Sequence, residues 1–113
     1  MIDPAAIVEI IATYKKYGWT LRRVLLSPAM KDGLPRTARE AFGNAAILDS
    51  DIDAMWFSRG RSDGDTTWEL RHISNAPFAM VAVLKAADGS SEPHLAATED
   101  EFRSAIAART NGH

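Results

Sequence analysis

Cysteine is absent from the 113 residues. That removes a disulfide framework, a thiolate metal site and a cysteine nucleophile, and it fits a reducing compartment. Charge of one sign is absent too: 13 basic and 15 acidic residues leave a formal net charge of −2. Such a balance offers no general attraction to nucleic acid or to an anionic membrane. No apolar run approaches the roughly 18 residues that span a bilayer. The opening Met-Ile-Asp-Pro lacks the basic region of a secretory leader. The expectation is a cytoplasmic protein with neither membrane nor nucleic acid as its partner. The glycines form no Gly-x-Gly-x-x-Gly and no phosphate loop. His72, His94 and His113 have no metal-ligand spacing. No cofactor and no metal is expected.

The chain has the length of one domain, read as 1–113, and can bury a core without staples. Asp3-Pro4 opens a helix in which Ile7, Ile10, Ile11, Tyr14 and Tyr17 recur at helical spacing, and Gly18 ends it. Trp19–Leu26 reads as an edge or near-edge strand with a bulge near Arg22-Arg23. Ser27-Pro28 caps a short helical turn, Thr37–Phe42 is a second short helix, and Ala45–Leu48 fits a strand or an extended lead-in equally well. Ala86–Pro93 is a polar loop with a turn at Asp88-Gly89. Thr98 to Glu101 reads as the capping box of a last helix carrying Phe102, Ala105, Ile106 and Arg109 on one side.

Between these lie three runs rich in aromatic and β-branched residues: Asp53–Arg59, Thr66–Ile73 and Phe78–Lys85. Asp63-Gly64 is a strong two-residue hairpin signal. With that turn, Phe57 opposes Leu70, Trp56 opposes Arg71 and Ser58 opposes Glu69. A four-residue turn at Ser74–Pro77 then sets Leu70 opposite Val81. The fold class that follows is α+β: an antiparallel sheet of four to five strands, order about α-β-α-β-β-β-α, with the N- and C-terminal helices on one face.

Two catalytic patterns were weighed against this register. Asp49, Asp51 and Asp53 alternate as oxygen ligands of a hard cation do. However, Ala54 stands where a calcium loop needs glycine, and Gly60 stands where it needs a bidentate glutamate. Asp53 with Glu69-Leu70-Arg71 has the residue types of a Mg²⁺-dependent nuclease, a distant third reading. The hairpin nevertheless separates the two carboxylates by five residues, on the order of 16 Å. No catalytic residue is assigned.

The unexplained surface is the second sheet face, bearing Trp56, Glu69, Arg71, Phe78 and Met80. Aromatics, Met and Arg are enriched at interfaces, and Arg71 over Trp56 would make a cation–π contact. The leading expectation is therefore a non-enzymatic binding or interaction protein, a homodimer through the face bearing Trp56. Cover by a second layer of the same chain competes with this. The alternative function is a small-molecule-binding enzyme or carrier with a pocket near Trp56, Glu69 and Arg71.

Overall fold

The Asp3 carboxylate accepts from the Ala5 amide, and Pro4 takes the first helical position, so α1 runs Pro4–Lys16 with Lys15 and Lys16 at its negative end. Gly18 follows with φ of 88°, a left-handed turn that releases the chain into β1 (Thr20–Leu26). Next come α2 (Pro28–Gly33), α3 (Arg36–Ala41), β2 (Ala46–Asp49), β3 (Ala54–Gly60), β4 (Thr66–His72), β5 (Ala79–Leu84) and α4 (Glu92–Asn111). The computed structural model describes residues 3–60, 64–74, 78–84 and 92–111. The Asp88-Gly89 turn and His113 lie outside the described residues, as does most of each hairpin turn.

The α+β class, the five strands and the helices at both ends are as the sequence suggests. The sheet order is β2-β1-β3-β4-β5. It is mixed: β1 and β2 run parallel, joined through α2 and α3, and the other pairs are antiparallel. The ambiguous Ala45–Leu48 segment is thus largely an edge strand. The bulge in β1 falls between Leu21 and Arg23, as expected from the paired arginines.

Two expectations are corrected. First, the terminal helices lie on opposite faces of the sheet. Ile7 of α1 packs with Met30, Leu34, Ala38 and Phe42 against Val24, Leu26, Met55 and Phe57. Leu95 and Phe102 of α4 pack against Leu25, Ala54, Trp56 and Leu70. β3 is buried from Ala54 to Ser58 without a break, and a strand apolar on both sides needs a layer on each.

Second, both hairpin registers are one residue away from those inferred. β3 pairs with β4 as Met55–Arg71, Trp56–Leu70 and Phe57–Glu69, and the ladder ends at Gly60–Thr66. The ladder is thus out of step with the register that a two-residue Asp63-Gly64 turn would set, and Asp63 itself lies outside the described residues. β4 pairs with β5 as Leu70–Met80 and Glu69–Val81. The two shifts cancel for β3 and β5 and turn β4 over. Glu69 and Arg71 go to the α1 side, while Trp68 and Leu70 go to the α4 side. Hydrophobic alternation could not choose this register, because β3 presents apolar residues to both faces.

Thr98 to Glu101 is also not a capping box. α4 begins at Glu92, so Thr98 is inside the helix and its hydroxyl donates to the His94 carbonyl at 3.1 Å.

Candidate functional site

The β4 inversion divides the five candidate residues. Trp56, Phe78 and Met80 belong to the cluster under α4, whereas Glu69 and Arg71 stand on the opposite face beneath α1. No pocket can unite Trp56 with Glu69 and Arg71, and the Trp56–Arg71 cation–π contact does not exist. Trp56 instead meets Trp68 edge-on, with ring centroids 6.0 Å apart. The indole is 0% exposed, and its Nε1 donates to Glu99 of α4 at 2.7 Å. Phe78 lies 5.1 Å from Phe102, centroid to centroid. Trp56 is therefore core, covered by the chain's own last helix, and a homodimer cannot form through it.

On the other face, Tyr14, which helical spacing marks only as a core residue of α1, organises the residues around it. Its ring stacks on Phe57 at 4.0 Å and 9°. Its hydroxyl reaches past Phe57 to donate to Glu69, the residue paired with Phe57 on the next strand. This explains how a glutamate can sit opposite a buried phenylalanine: the helix above brings it a donor. Burial pushes the Tyr14 phenol well above its usual range. The bond to Glu69 and the carboxylate's charge add to that, and nearby Arg71 opposes it. Arg71 donates from Nη1 to the His72 carbonyl. Between α1 and the end of β4 is an open-mouthed hollow of about 320 Å³, lined chiefly by Ala6, Ile10, Thr13, Tyr14, Arg71 and Ser74, with Glu9 beside them. A second hollow of about 250 Å³, near Trp19, Leu21, Phe42 and Phe57, is mostly apolar, with Lys15 and Thr20 as its polar lining.

The alternating aspartates point to three different partners. Asp49 pairs with Lys31 at 3.0 Å. Asp51 accepts from Arg103 Nε at 2.8 and 2.7 Å. Asp53 accepts from the Ser27 amide at 2.7 Å and the Ser27 hydroxyl at 3.1 Å, while Ser27 caps α2. They tie elements together and do not converge as ligands. Among the described residues, no three His, Asp or Glu side chains are grouped to hold a metal. In the observed register Glu69 pairs with Phe57, four residues from Asp53, on the order of 13 Å. The nuclease geometry therefore fails here too.

The Arg103 fork holds the Asp51 carboxyl below its usual value. A lowered carboxylate pKa stabilises the fold above the ordinary carboxylate range, and the contribution is lost as pH falls through it. Asp51 is largely exposed and Arg103 partly so, so Asp51→Asn is expected to lower the urea midpoint only slightly at neutral pH and low salt. The difference should vanish in high salt or near pH 2; a large, salt-independent loss would contradict a surface pair.

Gly60-Arg61-Ser62-Asp63-Gly64 has the spacing of a nucleophile elbow, a pattern the sequence analysis overlooked. That motif needs a strand turning into a helix, whereas this segment joins the antiparallel strands β3 and β4. Ser62 itself lies outside the described residues. Among the described residues, no helix is long and apolar enough to cross a membrane. No family model matches the chain, and no curated protein or solved structure matches it either.

Proposed function

We propose that the protein is a non-enzymatic interaction domain that self-associates through the edge of β5, in a cytoplasmic setting and without nucleic acid. The supporting observation is the chemistry of that edge. β5, Ala-Met-Val-Ala-Val-Leu, is an outer strand with neither a charged residue nor a proline. Val81 is 57% exposed and Val83 46%. An edge strand carries a row of backbone donors and acceptors ready to pair. Proteins that must stay monomeric block such edges with charge, proline or brevity. The other edge, β2, is only four residues long and ends at Asp49, which is paired with Lys31. The described residues of β5, Ala79–Leu84, carry neither charge nor proline.

The occupant is a second copy. A strand with no charge meets no like-charge repulsion when paired antiparallel with itself, and a two-fold axis makes the contact self-complementary. Val81 and Val83 of the two copies would then pack on one face of a continuous sheet. A non-enzymatic role is favoured by how the acidic groups are used. Asp51 is tied to Arg103, Asp53 to Ser27, Glu99 to Trp56 and Glu69 to Tyr14.

Sedimentation velocity at tens of micromolar checks this. Dimer is expected, and Val81→Lys or Val83→Glu should shift the population to monomer with at least about a tenfold weaker dissociation constant, since a charge on an edge strand blocks such pairing. A monomer for the unaltered chain, or a dimer insensitive to both changes, would overturn the proposal.

A further inference from the structure

The hollow between α1 and β4 has features of a site that self-association does not use. One wall is a helical stripe. Ala6, Ile10 and Thr13 follow one another at spacings of three and four, so they lie on one side of α1. The adjoining Tyr14 ring is held on both sides, by stacking on Phe57 and by its bond to Glu69. The opposite wall is Arg71, half-buried, with Ser74 beside it. A guanidinium has five N–H donors in a fixed fork, and the bond from Nη1 to the His72 carbonyl uses one of them. Apart from Ser74, the lining residues stand on α1 and β4, elements held by core packing, so little ordering of them would accompany binding.

We propose that this hollow binds a small monocarboxylate with a compact apolar body. The planar fork of Arg71 suits a carboxylate bidentately. Ala6, Ile10 and the Tyr14 ring offer an apolar seat, and Thr13 presents a hydroxyl at the helix side. Two acids set the charge limit: Glu9 is in the lining, and Glu69 is behind the phenol. Both repel any anion, a dianion such as phosphate about twice as strongly as a monoanion, so only a single negative charge leaves the directional contact with the Arg71 fork to offset the repulsion. The volume of about 320 Å³ is near the lower end for small-molecule sites, which fits a ligand of about one ring. The inference holds whether or not β5 pairs.

Backbone amide spectra recorded during titration with benzoate, benzyl alcohol, benzylamine and inorganic phosphate provide the test. Benzoate should move the amides of Ala6 to Tyr14 and those around Arg71 in a saturable way. The other three should bind at least about tenfold more weakly, the loss expected when a charge-assisted contact is missing. Arg71→Gln should abolish the benzoate shifts. Ala6→Leu, which fills the hollow from α1 and leaves Arg71 in place, should do the same. Should Arg71→Gln fail to fold, Ala6→Leu decides alone. The proposal is overturned by an absence of saturable benzoate shifts at these amides, by phosphate or benzylamine binding there as well as benzoate, or by benzoate binding to Ala6→Leu as to the unaltered chain.

Discussion

Trp56→Ala is expected to lower the urea midpoint of the fold steeply. The indole is wholly buried between Leu25, Leu70 and α4. Truncating a core tryptophan costs about 3–5 kcal/mol, and a domain of this kind has on the order of 5–15 kcal/mol in all. The substitution also takes the Nε1 donor from Glu99 and removes the ring against which Trp68 packs edge-on. Trp56→Phe should be milder, because most of the packing survives and chiefly the hydrogen bond is lost, a difference of about 1–3 kcal/mol. Urea denaturation followed by far-UV circular dichroism measures both without relying on the altered fluorophore. If Trp56→Ala kept the wild-type midpoint and only weakened association, Trp56 would be a surface residue and the placement of α4 would be wrong.

Tyr14→Phe should destabilise the protein by about 1–3 kcal/mol near neutral pH, because Glu69 loses its donor while remaining half-buried beside Phe57. The pH dependence is more diagnostic. The Tyr14 phenol is raised from its ordinary value of 10.0, chiefly by burial. A group whose folded pKa exceeds its unfolded value stabilises the fold fully below the unfolded value. That stabilisation is then lost as pH rises towards the folded one. The unaltered protein should therefore hold its advantage over Tyr14→Phe up to about pH 10 and lose it progressively above. Paired urea midpoints from pH 7 to 11 would show the gap closing. A gap that stayed constant through pH 11 would mean that Tyr14 ionises as easily folded as unfolded.

Local features of the fold were legible in the chain because neighbours in sequence decide them. The Asp3-Pro4 start of α1, the glycine stop at Gly18, the Ser27 cap on α2 and the bulge beside Arg22 each depend on a few adjacent residues. The three aromatic-rich runs were recognisable as strands for the same reason. At the candidate site, Trp56, Glu69 and Arg71 stood out as binding or interface residues of one face, but the register parts Trp56 from the other two. Tyr14 could be seen as core from its helical spacing. Nothing local revealed that its hydroxyl would reach a residue 55 positions away.

The sequence by itself therefore determined the elements, their order and the apolar character of both sheet faces. Only the tertiary structure decided which side of the sheet β4 turns to each helix. Alternation has a period of two, so a one-residue shift exchanges the faces entirely. When β3 is apolar on both sides, either register buries its side chains equally well. The choice then passes to a long-range partner: Tyr14 of α1 offers Glu69 a donor only when β4 turns that glutamate to the α1 side. That hydrogen bond links the first helix to the middle of the sheet. With it Glu69 and Arg71 lie under α1, and Trp68 joins Trp56 under α4.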